Sequence, residues 1–526
     1  MEFSNNRAKR RTVLLGAASL AIALAATGCT TSSGGSTGAD GSTSVIRSVF
    51  AADPHTFAPF DGTAVDDYAA SSLMYVPLVF KDDGNEFVPG LAEKWEVTPK
   101  QGVFTIRKGA TCGDGSEITP TMVMNSLKKF SVGQSSFPST TFGPGDPAIT
   151  ADDGAGTVTI DLAQPWTDLL SGLAQPASGI VCAAGLADEA GTTAGTVAGA
   201  VSGPYVLEKK QPGVLYEFKL RDDFKTWPEY SVPLGGTPAE TLSFTVTNEG
   251  SAVSNQLLTG TMDAAIVRGK DMVRLENATD VNTERIPAAN LFVAFNERPG
   301  HPFTDPAKRR AVAQVLNREA FNQAANGGLG DLSDSFAMPS VTCFNDDPSM
   351  LIPENPSEAA KELKGLKVKL LGSQAFGPNG AANTYVAESL RQAGADVDLQ
   401  NVDNATWAAN GRQKPESWDV IVFGNINAPA TMWGVMSVFV GPAVEDGGTN
   451  WTGNVDKSSQ KFVSEAMAES DDAARCKIYT EAQKQIIQEA RVIPLSTLAS
   501  MVATRDGFSM RAPNKTRADN TMRLDK

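Results

Sequence analysis

Histidine is nearly absent: His55 and His301 are the only two in a chain of 526 residues. Catalytic triads that need an imidazole base, and zinc sites that need imidazole ligands, have almost nothing to draw on. No Gly-x-Gly-x-x-Gly pattern and no P-loop occurs, which removes the usual phosphate cradles. After residue 26 there is no apolar run long enough to cross a bilayer, and no internal repeat. Positive charge is also scarce, with 45 Lys and Arg against 60 Asp and Glu, a formal net charge of -15. Such a surface argues against nucleic acid and anionic lipid as partners. Its plain consequence is solubility. Of the five cysteines none is in Cys-x-x-Cys spacing and none lies near a histidine, so metal binding through thiolates has no support.

What is present begins with an export signal. Arg7, Lys9, Arg10 and Arg11 precede an apolar stretch from Val13 to Ala26, too short for a comfortable membrane span. Ala26-Thr27-Gly28-Cys29 reads as a lipobox, with Cys29 the residue to be lipidated and residues 1–28 removed. Arg10-Arg11 leaves a twin-arginine route open beside the general one. Removing 1–28 takes away four positive charges and Glu2, so -15 becomes -18. Residues 29–44 then form a Ser/Gly/Thr linker, whose 15 residues after Cys29 reach about 50 Å when extended. This reading places the protein on the extracytoplasmic face of the cell membrane, held by lipid. The other four cysteines, Cys112, Cys182, Cys343 and Cys476, are an even number in an exported chain, which favours two disulfides among three possible connectivities.

The most informative stretch runs from Met74 to Phe130. Tyr75–Lys81 is short and β-prone and stops at Asp82-Asp83-Gly84-Asn85, a turn whose acids are expected in solvent. Residues 94–98 and 103–107 are two more strand-like pieces, and Thr119-Pro120 opens a helix with a threonine cap and proline at its first position. Tyr75, Pro77-Leu78-Val79, Asp83-Gly84, Pro89-Gly90-Leu91-Ala92-Glu93, Trp95-Glu96, Phe104, Arg107-Lys108-Gly109, Asp114-Gly115, Thr119 and Val123 stand in one order. That order resembles the signature of the family 5 extracellular solute-binding proteins, the oligopeptide-, dipeptide- and nickel-binding group of ABC importers. Later pieces resemble the same family: Gly203-Pro204-Tyr205, the residues 291–297 (LFVAFNE), 303–321 as one helix opened by Asp305-Pro306, and Val492-Ile493-Pro494-Leu495.

The resemblance implies an α/β clamp of two lobes with mixed sheets and flanking helices. The first lobe would comprise 45–72, 202–291 and 492–526, with 73–201 as an extra domain on it and 292–491 as the second lobe. Hinge crossings would fall near 291 and 491. On that division Cys112–Cys182 and Cys343–Cys476 each stay within one lobe and are the expected pairs. In the second lobe, strand, helix and strand at 366–370, 381–393 and 396–402 make a βαβ unit, and Trp418–Phe423 is a buried parallel strand. The loop after it, 424–433, falls where open α/β sheets bind ligands.

Candidate ligand contacts are therefore Asn425, Asn427 and Trp433 in that loop, Phe57 in the entry loop and Gln175 after a helix at 165–173. His55 and Arg309-Arg310 read as structural. Peptide binders of this family place an aspartate in the loop after that strand; here it holds no carboxylate, and Asp419 lies inside the strand. Either another acid faces the ligand's amino group or the ligand has none. The function implied is a monomeric, cofactor-free, non-catalytic receptor that captures a peptide or similar small polar solute for an ABC permease and its ATPase. A sensor or adhesin without a permease is the alternative, and a surface hydrolase lacks a nucleophile–base set.

Overall fold

The computed structural model describes residues 44–133, 135, 137–454 and 457–525. The export signal, Cys29 and the linker up to 43 lie outside the described residues.

Two long strands organise the molecule. Val281–Phe295 and Val492–Arg505 run antiparallel from Val281 opposite Arg505 to Ala294 opposite Val492. Ordinary strands have about five or six residues, so these two reach from one half of the chain into the other. Toward Arg505 the pair is edged by Ala264–Arg268; toward Val492 the sheet continues through Val420–Asn425, Lys367–Ser373 and Asp396–Val402. The register slips between Pro287 and Ala289 and again between Leu291 and Phe292. Pro287 has no N–H for the ladder, and the first slip falls there. The apolar ends of the strands, 291–297 and 492–495, are legible in the sequence. Their polar continuations, such as Asn282, Thr283, Glu284 and Arg285, carry no apolar run.

The half around Val420–Asn425 is the βαβ arrangement expected. Lys367–Ser373 is parallel to both of its neighbours, and the helix Ala381–Gln392 makes the crossover to Asp396–Val402. In the other half, Val45–Phe50 pairs parallel with Thr241–Val246, followed by the antiparallel strands Leu215–Leu220 and Tyr205–Gln211. Phe50 stacks on Phe244 at 4.2 Å between centroids. Arg47 fastens this sheet to the long-strand sheet through the buried Asp263, at 2.6 Å. The segment 73–201 carries its own antiparallel sheet, Ala92–Thr98, Gln101–Ile106, Thr157–Asp161 and Ala148–Asp152. Against it lies the helix Pro120–Ser131, whose Thr119 hydroxyl accepts from the Met122 N–H. The cysteines pair as Cys112–Cys182 and Cys343–Cys476.

Three local expectations are corrected. The helix expected over 303–321 is two helices, Pro306–Val315 and Arg318–Asn326. Asn317 breaks them because its side chain caps the second, accepting from Ala320 N–H, while its own N–H goes to the Tyr385 hydroxyl. Of Tyr75–Lys81 only Val79–Lys81 is strand, since Tyr75 closes the helix Val65–Met74. The acidic turn is solvated only in part: Asp83 and Gly84 are exposed, Asp82 is not. Asp82 is buried and accepts from the N–H groups of Asp83 and Ser231. Asp83 holds Arg511 at 2.7 Å and the Asn514 N–H at 2.7 Å. Asn514 then donates to Asn85 and to the Ser340 carbonyl. The turn is the dock for the C-terminal segment.

Candidate ligand-binding site

The strand Val420–Asn425 ends at the carboxyl edge of the parallel strands, and residues 426–433 leave from there. Two non-glycine residues in this loop sit in left-handed backbone, Asn427 at φ 42 and Ala430 at φ 50. For alanine this conformation costs on the order of 1 kcal/mol or more and persists only where surrounding contacts impose it. Those contacts are visible. The Asn427 amide donates to the Thr431 carbonyl at 2.8 Å, and the Ala430 N–H donates to the Asn427 carbonyl at 2.8 Å. The Ala430 carbonyl accepts from Thr342 N–H at 3.3 Å and from Lys81 Nζ at 3.2 Å.

Lys81 belongs to the other side of the molecule, at the end of Val79–Lys81. It also reaches the Pro429 carbonyl at 3.4 Å. Beside it, Trp166 from the segment 73–201 meets Trp433 edge to face at 5.7 Å. The Trp166 ring is fixed by its Nε1–H, which donates to the Thr140 carbonyl at 2.9 Å. Two residues further on stands Asp168, with the Thr431 side chain near its carboxyl. Its Oδ2 is buried with no hydrogen-bond partner. The helix Asp472–Gln488 closes the back of the cluster with Arg475 and Tyr479, whose hydroxyl is likewise buried without a partner.

Burial sets the electrostatics. It pushes the Asp168 carboxyl up to about 6, against the pull of Thr431, Arg475 and Lys81. It drags the Lys81 ammonium down to about 8, against the attraction of Asp168. Burial and the Asp168 charge together raise the Tyr479 phenol. A buried acid with one unsatisfied oxygen, an ammonium and two indoles thus converge where two parts of the chain face each other. Buried polar groups without partners are costly, and their clustering beside aromatic walls is the composition of a small-ligand site.

Of the residues singled out in the sequence, Trp433 is in this cluster, with Asn427 bracing its loop from below. Asn425 sits one residue off, at the strand end, with its Oδ1 buried and unpartnered. Phe57 and Gln175 are elsewhere. Phe57 is fully buried against Tyr216 and Phe218, with Lys210 above its ring. The Gln175 amide turns back to the Ser171 carbonyl of its own turn. Asp419 is structural, bound to His301 Nδ1 at 2.8 Å and Lys369 N–H at 2.9 Å. Lys81, Trp166, Asp168 and Tyr479 were not singled out. Lys81 ends a strand-like run, Trp166 and Asp168 fall in the helix expected over 165–173, of which only Leu169–Leu173 is helical, and Tyr479 is one apolar position of an amphipathic helix. Among the described residues no group of His, Cys, Asp and Glu is arranged to hold a metal ion.

Residues 86–446 match the family model described as bacterial extracellular solute-binding proteins, family 5 Middle. A substrate-binding protein from Microbacterium hydrocarbonoxydans, solved with 4-hydroxybenzoate hydrazide, is 40% identical, covers 92% of this chain and 100% of its own, and superposes with a TM-score of 0.81. The dipeptide-binding protein of Escherichia coli (strain K12) is 24% identical over 465 residues, 82% of this chain and 85% of that protein. A dipeptide-binding protein from Pseudoalteromonas sp. SM9913, solved with Met-Leu, has a TM-score of 0.75 at 18% identity, covering 91% of this chain and 100% of its own.

Proposed function

The chain belongs to the bacterial extracellular solute-binding proteins of family 5, and from that membership we propose that it captures a small polar solute and delivers it to an ABC permease with its ATPase. The solute sits between Trp166, Asp168 and Lys81 on one side and the loop 425–433 on the other. Closure bends the two long strands at Pro287–Leu291, as clamp-like binding proteins do. Cys29 carries the lipid that keeps the protein at the outer face of the cell membrane. The relatives bind solutes of different kinds, a dipeptide in one structure and an aromatic hydrazide in another, so the solute class spans peptides and amide-like aromatics.

The observation that carries this reading is the buried, unpartnered Asp168 Oδ2 beside the Trp166–Trp433 pair. The test is a thermal-shift screen. A solute at 100 times its Kd stabilises by about 2.7 kcal/mol, a rise of a few degrees in Tm. If peptide, hydrazide, sugar and metal-chelate libraries all leave Tm unchanged, the reading fails. Trp433→Ala removes one aromatic wall, and truncating a buried aromatic anchor costs about 2 kcal/mol or more. The expected result, read by titration calorimetry, is at least a tenfold loss of affinity with an unaltered fold.

A further inference from the structure

The ligand cluster contains an acid and an ammonium that attract but leave part of each other's bonding capacity unused. Lys81 has three N–H donors, and two are committed to the carbonyls of Pro429 and Ala430. Asp168 has two oxygens, and Oδ2 is buried without a partner. The site therefore offers an uncommitted ammonium N–H and an uncommitted carboxylate oxygen in one cluster, next to an indole pair.

That count discriminates among solutes. A carboxylate has about four lone-pair positions to satisfy and an α-ammonium has three N–H groups. The loop 424–433 holds no second carboxylate, and Arg475 is engaged with Asp472 and the Glu469 carbonyl. A bare ionic terminus brought here would be left partly unsatisfied, at a cost of several kcal/mol. An uncharged amide-type group puts a carbonyl acceptor and N–H donors a few ångströms apart, so it can engage Lys81 and Asp168 at once, and whatever bonding capacity it leaves unused carries no net charge to bury.

Resting on the solute-binding reading above, we propose that Lys81 and Asp168 together read one uncharged acceptor–donor group of the solute, a carboxamide or acyl hydrazide, whose carbonyl accepts from Lys81 Nζ and whose N–H donates to Asp168 Oδ2, while the flat substituent beside it lies against Trp433 and Trp166. Asp168 is thus a specificity-determining residue. The groups facing it are Lys81, Thr431, Arg475 and Tyr479. The pair works while Asp168 is ionised and Lys81 is protonated, so affinity is greatest between about pH 6 and pH 8. Below about pH 6 it falls roughly tenfold per unit.

The experiment is calorimetric titration at pH 7 with 4-hydroxybenzoate hydrazide, 4-hydroxybenzamide, 4-hydroxybenzoate and Met-Leu as probes, on wild type and Asp168→Asn. In the variant the side-chain carbonyl is taken by Thr431 and the amide NH₂ faces the solute's N–H. A hydrogen bond to a charged group is lost, which corresponds to a fall of about 10- to 100-fold. The expected result is that hydrazide and benzamide bind wild type, benzoate binds at least tenfold more weakly, and Asp168→Asn loses the amide-type probes together with the acid limb of the pH profile. Misfolding is excluded by melting. Because burial raises Asp168, ionising it costs stability as pH rises from about 4 through 6, so the variant melts at or above wild type at pH 8. Amide-type probes bound equally by Asp168→Asn, or Met-Leu or benzoate preferred over them by wild type, would overturn the inference. If another library solute raises Tm but no amide-type probe binds, this inference alone falls. If no solute of any class binds, the solute-binding reading falls with it.

Discussion

Replacing Cys343 and Cys476 together by serine is expected to lower stability by about 4–5 kcal/mol and to weaken solute binding as well. The stability figure follows from the 133-residue separation closed by this bridge, which in the chain-entropy model lengthens the list of conformations available to the unfolded chain. The functional effect follows from what the bridge holds. The Cys343 carbonyl accepts from Gln483 Nε2 at 3.0 Å, and Gln483 Oε1 accepts from Ser335 Oγ at 2.9 Å. The Ser335 carbonyl in turn accepts from the Asn290 amide at 3.0 Å, on one of the two long strands. One residue before the bridge, Thr342 N–H supports the Ala430 carbonyl that also receives Lys81. Loosening residues 331–350 therefore removes a prop from the strained loop under the site. Denaturant unfolding without reductant measures the first effect and titration with a binding solute the second. A change below 1 kcal/mol with unaltered affinity would show that the bridge is incidental.

Glu297→Ala is expected to cost about 3–5 kcal/mol, the range for removing one partner of a buried ion pair. Glu297 is almost wholly buried and serves two guanidinium groups, Arg309 at 3.1 Å and Arg491 at 2.9 Å. Burial depresses Arg309, with the Glu297 charge opposing it. Without the acid, two cations would face each other where the strand Val281–Phe295 ends, the helix Pro306–Val315 begins and the strand Val492–Arg505 sets out. Arg491 would keep Glu489, and Arg309 would keep the Phe303 carbonyl, which sets the upper limit on the loss. The control is Lys461→Ala, whose partner Glu465 is exposed on one helix face; an exposed pair of this spacing contributes about 0.3–0.5 kcal/mol. Chemical denaturation of the two variants side by side should separate them by several kcal/mol. Equal midpoints would mean that the network is solvated in solution.

The fold was largely legible because family 5 members share short, turn-delimited pieces whose order is itself informative. Pro89-Gly90 and Asp114-Gly115 mark chain reversals, Thr119-Pro120 marks a helix start, and the continuous apolar run 418–423 marks a buried parallel strand. The long strands were read at half length because an unbroken apolar run stops in both: residues 282–285 of the first are polar and largely exposed, and the far part of the second, though buried, is interrupted by Ser496, Thr497, Ser500 and Thr504. The site was legible on one side only. Trp433 follows from the rule that loops at the carboxyl ends of parallel strands face ligands. No such rule locates Asp168 or Lys81, which reach the site because the segment 73–201 is brought against that loop by the tertiary fold. The missing aspartate in the loop 424–433 was the one sequence clue that another acid, or another solute, was needed. Asp168, from a different element, is a buried acid against that loop, and its proposed partner is an uncharged N–H rather than an ammonium. Phe57 is a candidate only through the resemblance of its loop to the family's entry loop, and its ring is fully buried against Tyr216 and Phe218.

Solute is expected to bind against the Trp166–Trp433 pair. Tryptophan fluorescence during titration with any solute that raises Tm tests this directly. The expected result is a saturable change in emission with the same Kd as the thermal shift, abolished in the Trp166→Phe/Trp433→Phe double variant. A change that survives in the double variant, or saturable binding that leaves wild-type emission untouched, would contradict it.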